Sequence, residues 1–351
     1  MTETITVFVG LDLGDKYTEV CVLDGSGTVT LQTRVRTTAA SLTKTLRAVG
    51  WGRVVMEVGT PSRWVSELAL SLGHEVVVAN ARQVKLICGR GRKTDRSDAE
   101  LLARLGRADP TLLAPVRHRA RSAQVDLVHL RARDVLVKTR TLLINHVRGI
   151  VKSFGARVPK CDSRAFVRHA TPVVPQEIAS ALEPVLTQVA EINSRIDAYD
   201  RWAELRCKTS YPETERLMQV QGVGPIVSLG FVLTIDDAAR FRKSRDVGAY
   251  LGLSPIKRQS GDRDPELGIT KAGDPFVRRL LVNSAQYILA RGRDSDLRRW
   301  GLALAARGKK AAKKKAIVAV SRKLAVLLHR LWVTGETYRP IGHVPERLVA
   351  A

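Results

Sequence analysis

Four carboxylates in the first hundred residues have the types and spacing of a metal site. Asp12 ends an apolar run, Glu57 lies in a later one, and Asp95 and Asp98 are three residues apart, which places them on one face of a helix. A buried carboxylate must be paired or bind a metal. Carboxylate oxygens suit Mg²⁺, with Mn²⁺ as a substitute, and two such ions can assist phosphodiester transfer by activating a nucleophile and stabilising the leaving oxygen.

Each acid also has a plainer interpretation. Asp12 could belong to the phosphate loop of an actin-like or sugar-kinase ATPase, although no second phosphate loop or adenosine motif follows. Glu57 could pair with an arginine. Asp95 and Asp98 suit a helix N-terminus on dipole grounds, and residues 97–100 resemble a capping box. The combination of the four, rather than any single acid, favours the metal site.

Strand and helix signals alternate before residue 110. Three strands are followed by helix, strand, helix, strand and helix, which predicts an α/β domain with a ribonuclease-H-like mixed sheet. In that layout the first and fourth strands are neighbours, so Asp12 and Glu57 meet at one edge, and the last helix carries Asp95 and Asp98 there. The expected strands are Thr6–Leu13, Thr18–Leu23, Thr28–Val35, Arg53–Val58 and Glu75–Ala79, and the expected helices are Ala39–Val49, Ser62–Leu72 and one opening at Thr94.

The rest of the chain is predicted to be α-helical. Apolar residues recur at helical spacing over Ala123–Phe154 and Pro175–Leu205, which predicts an antiparallel pair or a coiled coil. Packing within one chain and oligomerisation both fit this pattern. The expected division is a catalytic domain at 1–110, a helical coiled-coil segment at 111–206, a mainly helical C-terminal domain at 207–340 and a tail at 341–351.

The charge of the chain indicates a polyanionic partner. Lys and Arg number 58 against 34 Asp and Glu, a formal net charge of +24, which favours nucleic acid. A membrane protein would need a long apolar run, an amphipathic helix with aromatic anchors or a lipidation signal, and none is evident. The four cysteines lack metal or disulfide spacing and no signal-peptide pattern is present, so a bacterial cytoplasmic setting, with action at the nucleoid, is expected.

Two segments predict contacts with phosphates. Residues 217–230 resemble half of a helix-hairpin-helix, in which Gly222 and Gly224 would present backbone N–H groups; a plain helix–helix turn is the alternative. A basic block at 307–315 precedes the apolar helix Ala316–Trp332. That block could be a solvated, partly disordered run, but the charge of the chain favours phosphate contact. Its lysines are Lys309, Lys310, Lys313, Lys314 and Lys315.

These motifs resemble the bridge-RNA-guided transposases of insertion-sequence family one-hundred-and-ten, to which the pilin-gene invertases are closely related. The resemblance extends from Val7 to about Trp332 and keeps the order of the family's motifs. The segments that carry it are Gly10–Gly14, Val55–Gly59, Lys93–Ala99, Gln221–Pro225, Tyr250–Pro255, Gln259–Gly261 and Ile269–Asp274.

The resemblance implies a RuvC-like domain whose Asp-Glu-Asp-Asp metal site falls on Asp12, Glu57, Asp95 and Asp98. It also implies a C-terminal transposase domain whose serine nucleophile falls on Ser260. Family members are expected to form homodimers or homotetramers in which the serine domain of one protomer completes the acidic site of another. They use a structured guide RNA that pairs with donor and target DNA.

Without the resemblance, Ser260 would pass for an ordinary loop serine. A serine hydroxyl is a weak nucleophile that metal ions and nearby cations could activate. Ser244 and Ser254 are the rival serines, and Ser254 precedes Pro255 at an expected helix end. The basic residues around Ser260 in the sequence are Lys257, Arg258, Arg263 and Lys271.

The sequence is therefore interpreted as an RNA-guided DNA recombinase that moves its own element. One alternative is a RuvC-like junction nuclease in which metal-activated water attacks and Ser260 is dispensable. Another is a non-catalytic nucleic-acid-binding protein with a decayed ribonuclease-H-like fold. Asp262 and Asp264 could face DNA or pair with Arg263 or Lys271.

Overall fold

The computed structural model describes residues 5–87, 94–256 and 267–342. The chain divides into two compact units, with the boundary between His118 and Arg119. No helix within the described ranges is long and apolar enough to cross a membrane.

The first unit is built on a mixed five-stranded sheet. The strand order is β3-β2-β1-β4-β5; β1 pairs antiparallel with β2 and parallel with β4, and the outer pairs are antiparallel β2–β3 and parallel β4–β5. The expected strands and the expected neighbourhood of the first and fourth strands are confirmed. The strands are β1 (Phe8–Leu13), β2 (Tyr17–Leu23), β3 (Val29–Arg36), β4 (Arg53–Glu57) and β5 (Glu75–Ala79).

Helices cover both faces of this sheet. The helices are α1 (Ala39–Ala48), α2 (Ser62–Ser71), α3 (Ala81–Ile87) and α4 (Asp95–Ala108). Residues of α1 and α2 pack against the face that carries Val9 and Leu11, whereas α4 packs on the opposite face. The sequence did not predict α3, because no apolar period marks it.

Thr94 sets the start of α4. Its side chain accepts a hydrogen bond from the backbone of Ser97, and the Ser97 hydroxyl accepts one from the backbone of Thr94. The capping box is therefore formed by Thr94 and Ser97. The interpretation of residues 97–100 as a capping box was wrong. Glu100 instead forms an ion pair with Arg104, one turn further along the helix.

The backbone of α4 lies directly on β1. A Cβ atom added at Gly10 would overlap the carbonyl oxygen of Ala99 and lie 2.7 Å from the amide nitrogen of Ala103. One turn further along α4, Gly106 lies against the side chain of Val55 on β4. Only glycine at position 10 allows the helix this close to the sheet.

The second unit contains a long antiparallel helix pair, α5 (Arg121–Ser153) and α7 (Gln176–Thr209). As residue numbers rise along α5, those of their partners on α7 fall, so the expected antiparallel pair is confirmed. Polar links between them include Arg206–Asp126 at 2.7 Å, Arg133–Asp200 at 2.5 Å and Arg140–Asn193 at 2.8 Å.

The remaining helices form a separate core with the beginning of α5 and the end of α7. The basic block was expected to precede a helix that starts at Ala316, but the helix starts at Lys310. Its first turns consist of Lys and Ala, which are strong helix formers without apolar periodicity, so a partly disordered run is excluded for Lys310–Lys315. Besides the short α6 (Phe166–Ala170), the helices of the second unit that follow α7 are α8 (Glu213–Met218), α9 (Pro225–Ile235), α10 (Arg245–Tyr250), α11 (Pro275–Arg291), α12 (Asp296–Ala306) and α13 (Lys310–Thr334).

Gly10→Ala should destabilise the first unit strongly, because the added methyl group overlaps backbone atoms that cannot turn aside. We expect a loss of about 1–3 kcal/mol or more in the free energy of unfolding, measured by urea denaturation. Gly59→Ala is the control in the same unit, since the nearest atom to its added Cβ is 4.0 Å away. Equal stability of the two variants would contradict the close approach of α4.

Candidate functional site

Asp12 and Glu57 lie on one face at one edge of the sheet. Leu11 pairs with Met56, so Asp12 and Glu57 follow at the next position of the parallel β1–β4 pair. Side chains alternate between faces along a strand, and Asp12 therefore shares the α4 face with Gly10, as Glu57 does with Val55. Both acids are half-buried.

The direction of α4 brings its acids to the same edge. At its C-terminal end the carbonyl of Gly106 accepts a 2.7 Å hydrogen bond from Arg53, at the start of β4. At its N-terminal end the carbonyl of Arg96 accepts a bond from Gln32 of β3. The helix thus runs antiparallel to β1 and begins where β1 ends.

Asp98 and Asp95 continue the sheet-facing stripe of α4. Asp98 is half-buried and lies one turn before Leu102, which packs with Val55 of β4. Asp95 lies one turn before Ala99, which packs with residues of β1 and β2, and its side chain is 72% exposed. By register, Asp98 lies on the Glu57 side of the edge and Asp95 on the β2–β3 side.

Glu19 and Arg34 extend this edge, and the sequence analysis missed both. Glu19 lies opposite Asp12 in the β1–β2 register and forms an ion pair with Arg34 of β3. Arg34 also lies 3.8 Å from Asp95. The hydrogen bond and charge of Glu19, followed by the charge of Asp95, raise the pKa of Arg34. The hairpin register of the first two strands could have revealed Glu19, because it fixes the residue opposite Asp12.

The carboxylates fit a divalent cation by their donor chemistry. Half-buried oxygen donors on one sheet edge are the ligands that Mg²⁺ and Mn²⁺ prefer. Among the described residues, no three His, Cys, Asp or Glu side chains stand together as a group that could hold an ion. The assignment of Asp12, Glu57, Asp95 and Asp98 as ligands therefore stays a prediction.

Ser260 lies outside the described residues, in the segment 257–266, as do Lys257, Arg258, Arg263, Asp262 and Asp264. The two ends of this segment are held together. Ile256 donates a backbone hydrogen bond to Gly268, Thr270 donates one to Ser254, and Pro255 and Ile269 form an antiparallel bridge. Residues 254–256 and 268–270 therefore form one short two-stranded base next to this segment.

The base rests on two close backbone approaches. Gly252 and Gly273 both have φ +70, and a Cβ on either would overlap a backbone oxygen, of Ala272 and of Tyr250 respectively. Arg278 of α11 donates to the carbonyls of Leu251, at 3.0 Å, and of Ala272, at 2.7 Å. One guanidinium thus links the two chain segments that flank residues 257–266.

The other residues expected near the nucleophile are placed as follows. Lys271 is exposed at the base, with φ +53, and its amide donates to Gly252. Ser244 shares a 3.0 Å hydrogen bond with Nδ1 of the buried His329, whose Nε2 donates to the carbonyl of Ala238. Because the proton of His329 lies on Nε2, the Ser244 hydroxyl donates to Nδ1. Ser244 therefore has a structural role in this hydrogen bond.

Gly222 and Gly224 form the turn between α8 and α9. Gly222 has φ +84, and the position of its missing Cβ faces Tyr287 and Ile288 of α11. Gly224 caps α9, and no atom lies within 4 Å of its Cβ position. Packing thus explains one glycine and leaves the other open to a ligand, so phosphate contact at this turn remains a prediction.

The five lysines of the basic block are exposed around the start of α13. Lys309 is the N-cap residue, and Lys310, Lys313, Lys314 and Lys315 lie in the first two turns, whose first turn carries no acidic residue. Positive charge is unfavourable at a helix N-terminus because the helix dipole is positive there. An external anion would offset both this unfavourable interaction with the dipole and the repulsion among the lysines.

The strand order, the edge carboxylates and the exposed basic helix are together typical of nucleic-acid-processing enzymes with a ribonuclease-H-like domain. A transposase model for the DEDD transposases of IS110 matches residues 9–155, and the "Transposase IS116/IS110/IS902 family" model matches residues 214–299. The chain belongs to the IS116/IS110/IS902 family and is a DNA transposase.

Relatives from several bacteria match over most of their length. The transposase for insertion sequence element IS1111A of Coxiella burnetii is 28% identical over 94% of this chain and 91% of its own length. "Putative transposase y4pF/y4sB" of Sinorhizobium fredii is 30% identical over 82% and 74%. The transposase for IS1328 of Yersinia enterocolitica is 27% identical over 81% and 84%.

Gly273→Ala should open the base that flanks residues 257–266. The variant combines the strain of a left-handed alanine, about 1–2 kcal/mol, with overlap against the carbonyl of Tyr250. Gly155→Ala is the matched control, because Gly155 has φ +83 with no atom within 4 Å. Urea denaturation should therefore show a larger loss for Gly273→Ala, and equal losses would refute the close approach.

Proposed function

We propose that this transposase is an RNA-guided DNA recombinase that excises and inserts its own element through a serine–DNA intermediate. The observation that supports it best is that Asp12 and Glu57 lie on the α4 face at one edge of the sheet, near the end of α4 that carries Asp95 and Asp98. The proposal joins this edge to Ser260 of a second protomer. Its alternative is a RuvC-like nuclease that uses water and does not need Ser260.

The acidic edge would bind divalent metal. Asp12, Glu57, Asp95 and Asp98 are the proposed ligands, with Mg²⁺ as the expected ion and Mn²⁺ as a substitute. When bound, the metal would neutralise charge on the scissile phosphate. Asp95 is the most exposed of the four and already lies near Arg34, so it is expected to contribute least to affinity.

Ser260 would attack the scissile phosphorus. Its Oγ forms the new P–O bond, the bond to the leaving DNA oxygen breaks, and the hydroxyl proton is lost as the leaving oxygen gains one. Because one phosphodiester replaces another, the strand can later be rejoined without an external energy source. Lys257, Arg258, Arg263 and Lys271 would stabilise the developing negative charge.

Donor DNA, target DNA and a structured guide RNA are the proposed partners. The lysines that begin α13 support phosphate contact, since they lie where the helix itself disfavours them. The open position beside Gly224 supports a second contact at the α8–α9 turn. The guide RNA rests on the family resemblance together with the net charge of +24.

A second copy of the chain would pack on α5. Val128, Val135 and Leu142 recur every seven residues on α5 and are 58%, 58% and 66% exposed. An exposed row of large apolar side chains along one helix face is typical of a surface that packs against another molecule. This row, the apolar seam of α5, supports the homodimer or homotetramer expected for the protein.

The serine intermediate predicts a covalent protein–DNA adduct. The purified full chain, incubated with the DNA that flanks its gene and with Mg²⁺, should yield after denaturation and digestion a peptide with a nucleotide on Ser260, detected by mass spectrometry. Ser260→Ala and Asp12→Asn should each abolish the adduct, whereas Ser254→Ala should retain it. Digestion of copurified RNA before DNA is added should also prevent the adduct.

Three results would contradict parts of this account. Cleavage without an adduct that persists in Ser260→Ala would support the water-using nuclease. Adduct formation that persists after ribonuclease treatment would show that the reaction does not need a guide RNA. An Asp12→Asn variant that loses DNA binding together with cleavage would assign that carboxylate a structural role.

Val135→Glu with Leu142→Glu should reduce the oligomer to a smaller species, because each change places charge in the apolar seam. The mass is measured by size-exclusion chromatography with light scattering. Leu70→Glu is the control, since Leu70 is similarly exposed, at 57%, on α2. An unchanged mass for the double variant would exclude α5 as the interface.

A further inference from the structure

An arginine-rich pocket lies in the α5–α7 pair, within the second unit. It is an open cavity of about 700 Å³ between α5, residues 162–168 and α7. No aromatic residue is among the described residues that line it, so it offers no surface for base stacking. Its charged lining residues are Arg133, Arg140, Arg164, Arg168, Asp162 and Asp200.

The carboxylates do not satisfy all four guanidinium groups. Asp200 pairs with Arg133 at 2.5 Å and lies 3.5 Å from Arg164, whose closer partner is Asp197 at 2.6 Å. Asp162 accepts hydrogen bonds from two backbone amides of its own turn. Within the described part of the chain, no ion pair involves Arg140 or Arg168.

Arg140 has a buried hydrogen-bond donor without an acceptor among the described residues. Its Nη1 donates to Asn193 at 2.8 Å, but its buried Nε finds no acceptor among the residues described. A buried donor without a partner is costly, and more so when it is charged. Burial first, and then the charges of Arg133 and Arg164, lower the pKa of Arg140, whereas the charges of Asp197 and Asp200 raise it to a smaller extent.

We infer that this pocket binds a phosphodiester group of nucleic acid through Arg140 and Arg168. Guanidinium groups bind phosphate oxygens with paired hydrogen bonds, and an anion would offset the repulsion among the arginines. The pocket is open enough to admit a continuous backbone, and without aromatic residues it would contact phosphate rather than bases. This site is separate from the acidic edge and Ser260, and it does not depend on the serine chemistry.

The test is the salt dependence of nucleic-acid binding by the full chain. Fluorescence anisotropy measures Kd for a labelled 30-base-pair DNA duplex and for a labelled single-stranded RNA, each across a range of NaCl concentrations. Arg140→Gln with Arg168→Gln should weaken binding about threefold to tenfold at low salt. It should also make the slope of log K against log salt shallower by about 0.9 per lost phosphate contact for duplex DNA or about 0.7 for RNA.

The matched control is Arg195→Gln with Arg201→Gln, which removes the same charge from exposed positions on α7 outside the pocket. Circular dichroism checks folding. The single variant Arg168→Gln changes an exposed side chain and so tests the pocket without disturbing the half-buried Arg140. A loss with DNA alone or RNA alone supports the site and identifies which backbone it holds. Equal behaviour of Arg168→Gln and the single variant Arg195→Gln on both probes would overturn it.

Discussion

The contact between the backbone of α4 and β1 determines the geometry of the acidic edge. Gly10 has no Cβ, so the helix can lie against the strand at Ala99, and Gly106 allows a second close approach at Val55. These two contacts fix both the position and the direction of α4. The acids at its start are therefore carried to the edge where Asp12 and Glu57 emerge. A side chain at position 10 would lift the helix and separate the two sets of carboxylates.

In the second unit, too, glycines allow a close backbone contact. Gly252 and Gly273 allow two chain segments to touch backbone to backbone, and Arg278 links their carbonyls. The ends of the segment that contains Ser260 are thus held together on α11. In both units the glycines allow close backbone contacts next to segments that carry proposed site residues. The long α5–α7 pair, in contrast, is fixed by side chains, both apolar and charged.

Much of the fold could be predicted from short periodicities. Alternating strands and the helical periods of α5 and α7 each depend on neighbouring residues, which the sequence displays directly. The start of α13 was missed because Lys and Ala favour a helix without any apolar pattern. The contact at Gly10 could not be predicted, since it depends on a helix almost ninety residues later. The arginine pocket likewise depends on side chains from three separate segments, so no local motif marks it.

The central claim is that Asp12, Glu57 and Asp98 form one metal-binding edge beneath the start of α4. Anomalous diffraction at the manganese absorption edge, from crystals of the full chain grown with Mn²⁺, tests it directly. The account predicts an anomalous peak coordinated by these three carboxylates, which disappears in Asp12→Asn. Crystals that show no peak at this edge, with Asp12 and Glu57 directed away from each other, would contradict it.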